Sequence, residues 1–112
     1  MSKYKARKTY VKGEAFDSVK EAARWRDLKL MERAGDITDL ERQVRYILIP
    51  SQYENGKLVF RSCAYVADFV YRFRGELVVE DVKGYRGSTA YDVFKIKQKL
   101  MYQQYGIKVA EI

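Results

Sequence analysis

A chain of 112 residues is one domain's worth, and with 47% hydrophobic and 33% charged residues it can bury a single core. Having no histidine and one cysteine, Cys63, it excludes His/Cys zinc sites, triads with a histidine base and disulfide scaffolds, which leaves acid–base chemistry to carboxylate, lysine or tyrosine. The net charge of +7 sits at the ends, with +4 in residues 1–14, zero in 15–84 and +3 in 85–112, a distribution that suits a polyanion gripped by flanks, although solubility alone also accounts for a basic balance. No apolar stretch approaches the roughly 20 residues of a membrane span and the N-terminus has no apolar h-region, so a soluble, cytoplasmic protein with no membrane partner is expected.

Residues 1–15 are polar, basic and unpatterned, and read as an N-terminal arm or short edge strand, with a single domain over 16–112. Asp17 or Ser18 caps a first helix, VKEAARWRDLKLMERA, which Gly35 ends. A connector leads to a first strand, QVRYILIP, stopped by Pro50. Asn55-Gly56 signals a turn before one long strand, LVFRSCAYVADFVYRF, and Arg74-Gly75 turns the chain into a third, ELVVEDVK. Ser88 or Thr89 caps a second helix over TAYDVFKIKQKLMYQQY, Gly106 ends it, and IKVAEI closes as a strand. The order is α/β, αβββαβ.

A two-residue turn at Arg74-Gly75 places Asp68 directly opposite Asp81. Alternation puts Val66, Asp68 and Val70 on one face with Leu77, Val79, Asp81 and Lys83, and Tyr65, Ala67, Phe69 and Tyr71 on the other. Glu80 then faces away from Asp81 and stays out of the site. Two carboxylates opposed between hydrophobic neighbours must share a proton or find a cation. Lys83 offers one charge, and the remaining oxygens suit Mg²⁺ or Mn²⁺. Edge-strand charges held in salt bridges are the competing reading.

Asp68, a hairpin, then Asp81-Val82-Lys83 is the pattern D…(D/E)-X-K, and with Glu21 on the preceding helix it resembles the PD-(D/E)XK nuclease superfamily. FDSVKEAARW, ADFVY, VVEDVKG and KIKQKLMYQQYGI are similar to a small phage and prophage family catalogued as of unknown function and assigned to these nucleases. The resemblance implies a restriction-endonuclease-like fold, a central mixed four-stranded sheet flanked by helices. It implies that Asp68, Asp81, the backbone carbonyl of Val82 and Glu21 hold a divalent metal. Lys83 would position or help deprotonate the attacking water, and hydrolysis would leave a 5′-phosphate and a 3′-hydroxyl. Ala67 stands where the superfamily often has proline.

Lys97 falls inside an apolar helical stripe of Val93, Phe94, Leu100 and Met101, and either snorkels or leans toward the carboxylates or a phosphate. Gln43 is a weaker candidate for polar support near the metal. Tyr85, Arg86 and Ser88, just past the metal strand, are the best candidates for substrate backbone contacts, joined by Lys95, Lys97 and the arm cations Lys5, Arg7 and Lys8. Ten tyrosines, several among basic residues, suit stacking on bases, and most would also serve simply as half-buried filling. The expectation is a Mg²⁺-dependent DNA endonuclease acting on branched, recombination or repair DNA in the host cytoplasm, with a homodimer supplying symmetric cuts. The alternative is a non-catalytic nucleic-acid-binding module that retains the fold.

Overall fold

In a computed structural model describing residues 8–112, two serine-capped helices pack on opposite faces of one mixed sheet. The chain runs β1 (Thr9–Val11), β2 (Glu14–Phe16), α1 (Val19–Arg33), β3 (Ile37–Ile49), β4 (Gln52–Glu54), β5 (Lys57–Phe60), β6 (Cys63–Phe73), β7 (Glu76–Asp81), α2 (Thr89–Tyr105) and β8 (Ala110–Glu111). The central sheet has the order β3-β6-β7-β8, antiparallel at the first two pairings and parallel between β7 and β8. Among the described residues, no helix is long and apolar enough to cross a membrane.

Both helices lie where their caps place them. Ser18 Oγ accepts from the Glu21 N–H at 3.0 Å and Ser88 Oγ from the Tyr91 N–H at 3.2 Å, each satisfying a donor that the first helical turn leaves open. Gly106 stops α2 in the left-handed conformation, with its N–H bonded to the Tyr102 carbonyl. One face of the sheet packs Leu48, Tyr65, Ala67, Val70 and Val79 against Phe94 and Met101 of α2. The other packs Ile37, Phe69 and Tyr71 against Ala22 and Leu28 of α1 and Phe16 of β2, with Trp25 stacked on Phe69 at 5.8 Å. Within the expected stripe of α2, Phe94 and Met101 are buried but Val93 is exposed, because the helix presents a narrower face to the sheet.

Several elements differ from the sequence reading. The described part of the arm folds as a β1-β2 hairpin that seats Phe16 in the core. β3 begins six residues earlier than the apolar run, at Ile37, since the polar segment TDLER is carried through a bulge with Asp39 at positive φ. The long strand over 58–73 is broken: β5 pairs with β4 in a separate ribbon, and at the corner the Ser62 N–H bonds Ser51 Oγ at 3.1 Å. β7 ends at Asp81, and the pairing with the C-terminus continues through Ile112 N–H to the Asp81 carbonyl and Lys83 N–H to the Ile112 carbonyl.

The largest correction concerns which way the side chains of β6 point. The β6-β7 register, Phe73↔Glu76 to Phe69↔Glu80, is the one a two-residue turn imposes, and its next step sets Asp68 opposite Asp81. Yet Tyr65 and Ala67 share a cluster with Val70 and Val79, whereas Phe69 and Tyr71 pack on the other side. Simple alternation fails between Ala67 and Phe69. The same reversal occurs in β3, where Arg42 and Val44 lie on opposite faces around Gln43, whose φ is +56°. Gln43 and Asp68 stand opposite each other at this flip, so Tyr65 and Ala67 face the same side as Asp81 rather than the opposite one.

Candidate active site

Asp68, Asp81, Val82 and Lys83 come from the point where β6 and β7 part, and Glu21 from the first turn of α1; all five line one cleft of about 940 Å³. The strands part because the Asp68 carboxylate takes the backbone's place: its Oδ2 accepts the Val82 N–H at 2.8 Å, and β7 turns to β8 for its remaining partners. Gln43 Nε2 lies 3.5 Å from the other oxygen, so this residue does stand beside the site. Both helices begin at the cleft, with Asp17, Ser18, Lys20, Ser88, Thr89 and Tyr91 on its wall. Two helix N-termini therefore direct their positive ends and open N–H groups toward a common space, an arrangement that favours an anion such as phosphate.

Asp81 is fully engaged. Its Oδ1 is 2.7 Å from Lys83 Nζ and its Oδ2 accepts from the Tyr65 hydroxyl at 2.6 Å. Lys83 in turn lies 3.5 Å over the Phe94 ring, and its backbone carbonyl accepts from Lys20 Nζ at 2.6 Å. Tyr65, a residue the sequence reading had turned away from the site, thus holds one oxygen of the central carboxylate. Burial, reinforced by the Asp81 bond, pushes its phenol well above the usual tyrosine range.

Glu21 is not an ordinary helix-surface glutamate: it is 4% exposed, and its Oε1 is buried without a hydrogen bond. Arg42 Nη2 approaches that oxygen at 3.6 Å while donating to the Ala15 carbonyl at 2.8 Å, and the guanidinium lies 3.9 Å over the Phe16 ring. Burial first, then the nearby Asp68 and Asp17 charges, push the Glu21 carboxyl up to about 7, against the pull of Arg42. Burial likewise lifts Asp68 to about 6, with Asp81 adding to it and the Val82 N–H, Lys83 and Gln43 opposing. The cleft is short of positive charge.

That deficit has a measurable consequence. Asp68 and Glu21 hold protons in the folded chain at pH values where the unfolded chain has lost them, so their contribution to stability is present below about pH 4 and is lost as pH rises through about 6 to 7. Glu111 acts in the opposite sense: the Tyr91 hydroxyl, then Lys95, hold it down to about 2, and that contribution is lost as pH falls from about 4.5 toward 2. The metal-free protein should therefore melt highest near pH 4 and about 10 °C or more lower at pH 8, a loss of at least about 2 kcal/mol. Added Mg²⁺ or Mn²⁺ should raise Tm more at pH 8 than at pH 5. Scanning calorimetry across pH with and without the ion checks both statements, and a flat profile contradicts them.

The expected substrate contacts are distributed differently. Arg86 and Lys95 pair with Glu111 at 3.3 and 2.9 Å, beside a Tyr91 hydroxyl bond to the same carboxylate at 2.7 Å, so neither cation is uncommitted. This carboxylate, close in space but distant in sequence, was not visible to a reading of local charge. Ser88 is occupied as a helix cap, and Tyr85 lies on the cleft wall against Gly87. Lys97 is half-buried, does not line the cleft and makes no ion pair among the described residues, which fits snorkelling along the helix. Lys8 is exposed; Lys5 and Arg7 lie outside the described residues.

The acid facing away from the cleft has its own partners. Glu80 accepts Arg24 Nε at 2.8 Å and Nη2 at 2.6 Å, together with the Tyr71 hydroxyl, on the α1 side of the sheet. Arg42, Tyr65 and the Arg24–Glu80 pair all escaped the sequence reading. Only long-range packing brings them to the carboxylates they serve.

A family model described as "Protein of unknown function (DUF1064)" matches residues 1–110. The chain belongs to that family. No curated protein and no solved structure matches it. The family description states no activity, so chemistry must come from the side chains. Among the described residues, no three His, Cys, Asp or Glu side chains form a group ready to hold a metal ion. Mg²⁺ does not require one, since it is commonly held by one or two carboxylates with water and substrate phosphate completing its shell. The oxygen donors of Asp68 and Asp81, the buried Glu21 oxygen that lacks a hydrogen bond and the raised carboxyl pKa values of Glu21 and Asp68 fit such an ion.

Proposed function

We propose that this protein is a divalent-metal-dependent DNA endonuclease of the PD-(D/E)XK type, with a restriction-endonuclease-like fold. The observation that carries the reading is the convergence of Glu21, Asp68, Asp81 and Lys83 in one cleft faced by two helix N-termini. Asp68, Asp81 and the Val82 carbonyl would hold Mg²⁺ or Mn²⁺, with Glu21 completing the acidic set. The chemistry such an ion supplies when bound is Lewis-acid activation of water and neutralisation of charge on the scissile phosphate.

The chain's own residues have separate tasks. Tyr65 fixes the Asp81 carboxylate from below through its hydroxyl, and Gln43 and the Val82 N–H fix Asp68. Lys83 Nζ, bonded to Asp81 Oδ1, is placed to balance charge on a phosphate and to hold the attacking water for deprotonation. The N-termini of α1 and α2 receive phosphate oxygens, and Tyr85 on the wall lies beside the strand's path.

A panel of labelled linear, flap and four-way DNA substrates incubated with Mg²⁺ or Mn²⁺ tests the reading. Cleavage that disappears in EDTA supports it. DNA binding with no cutting under any divalent ion supports instead a binding module that keeps the fold, a reading favoured by the commitment of both Asp81 oxygens to Lys83 and Tyr65.

The basic N-terminal residues supply a further expected result. Removing residues 1–13 would delete β1, so neutralisation is the cleaner change. Replacing Lys3, Lys5, Arg7 and Lys8 by Gln should weaken DNA binding roughly equally for all sequences and flatten the slope of log K against log salt by up to about 3.6. Fluorescence anisotropy from 50 to 200 mM salt measures it, and an unchanged slope removes these cations from the phosphate interface.

A further inference from the structure

Beyond Asp81 the rim of the cleft carries a second set of charges. The parallel pairing of β7 with β8 sets Glu111 beside Asp81, and both side chains are directed to the α2 side of the sheet. Asp81 lines the cleft, whereas Glu111 is enclosed by Tyr91 and Lys95, one turn apart on α2, and by Arg86 from the loop between β7 and α2. Its Oε1 accepts from the Tyr91 hydroxyl at 2.7 Å and from Arg86 Nε at 3.3 Å, and its Oε2 accepts from Lys95 Nζ at 2.9 Å. The cluster adjoins the cleft directly, because Tyr91 lines it, as do Gly84, Tyr85, Gly87 and Ser88 on either side of Arg86.

The three contacts differ in how firmly they hold. The Tyr91 hydroxyl makes the shortest one, and its ring is fixed against Phe94 at 5.9 Å. Arg86 and Lys95 are looser: their side chains are 47% and 41% exposed, and ion pairs so open to water contribute little. Arg86 is bonded through Nε at the long end of the hydrogen-bond range, a single contact rather than the two-pronged grip a guanidinium gives a carboxylate or phosphate. The Glu111 carboxylate is 19% exposed, so Tyr91 and water can satisfy it when the cations leave. To both cations its two oxygens offer the same acceptors as a phosphate would.

We propose, resting on the reading of this cleft as a DNA site, that Glu111 is an internal stand-in for a backbone phosphate: it holds Arg86 and Lys95 in the free protein and yields both to DNA at the cleft mouth. Binding then exchanges two exposed ion pairs for two charge-assisted contacts to the strand, and Glu111 stays anchored on Tyr91. The cations are released at small cost because neither is buried. Glu111 thereby lowers the affinity for every DNA by a similar factor, since phosphate contacts carry no sequence information.

Fluorescence anisotropy of a labelled duplex and a labelled four-way junction, in EDTA and again in Ca²⁺, reads the result as binding, without reference to cleavage. Glu111→Gln keeps an acceptor for Tyr91 and should tighten binding of both DNAs about three- to tenfold, the release of two exposed ion pairs. The gain is counted beyond that of Glu32→Gln, which makes the same charge change and frees Lys29 at the far end of α1. In an Arg86→Gln/Lys95→Gln background, Glu111→Gln should add nothing, because the cations it would release are gone. That double variant with Glu111 intact should itself flatten the slope of log K against log salt by up to about 1.8, a test that does not require Glu111→Gln to fold. Glu111→Gln binding no tighter than Glu32→Gln, or weaker than wild type as a purely structural role would give, overturns the proposal, as does an unchanged slope in the double variant. A wild-type chain that binds neither DNA under either condition overturns the DNA reading of the cleft and this exchange with it.

Discussion

Replacing Asp81 with alanine should reduce Mg²⁺-dependent cleavage of branched or plasmid DNA by at least about 10³-fold without unfolding the protein. Asp81 is the carboxylate on which the cleft is built: Lys83 and Tyr65 each bond one of its oxygens, and its charge lies beside that of Asp68. Its loss removes oxygen donors that would hold the metal and frees Lys83 from its fixed position. Loss of several kcal/mol of transition-state stabilisation corresponds to the stated factor. Stability should change little, because removing one charge from a cleft crowded with acids offsets the hydrogen bonds lost. Asp81→Asn, which keeps an acceptor for Tyr65, should cleave equally poorly. A plasmid-nicking time course in Mg²⁺ and Mn²⁺, with melting curves for each variant, tests this. Cleavage at the wild-type rate in either variant defeats the proposed site.

The neighbouring acid should give the opposite result. Glu80→Ala is expected to cost about 3–5 kcal/mol of stability while leaving the cleavage rate of folded protein near that of the wild type. Glu80 is 1% exposed and holds Arg24 through two hydrogen bonds as well as the Tyr71 hydroxyl, so truncation leaves a guanidinium and a phenol without their acceptor. Arg24 retains some access to water, which places the expected loss toward the lower end of the range. Urea unfolding measures it, and the double variant Arg24→Met/Glu80→Leu should recover most of the loss, since apolar replacement of a buried pair is often neutral. A Glu80→Ala protein as stable as the parent would contradict the role given to this network. On the proposed reading, adjacent acids one residue apart would serve stability and chemistry separately, because successive side chains in a strand face opposite sides.

Both helices, their N-caps to within one residue (Asp17 or Ser18, Ser88 or Thr89) and the glycine that ends α2 were legible in the sequence, because capping is local hydrogen-bond chemistry. The β6-β7 register followed from Arg74-Gly75 for the same reason: both residues have positive φ, as a tight hairpin turn demands. That register was enough to set Asp68 beside Asp81. The facing of Tyr65 and Ala67 was not legible, because a single positive φ at Gln43 reverses the side-chain order of two strands without altering composition or pairing. Nor was the break of the 58–73 segment into β5 and β6, where a serine pair decides a corner that no apolar pattern marks.

By itself, the sequence determined the helices, their ends, the hairpin and the placing of two aspartates across it, all consequences of contacts a few residues apart. Only the tertiary structure decided that Glu21 is buried beside them, that Tyr65 holds Asp81 from the neighbouring strand, and that Glu111 claims Arg86 and Lys95. These pairings join residues from different elements. Their charges and hydroxyls acquire a role only when packing of the two helices on the sheet removes water and leaves each polar group with few partners to choose from.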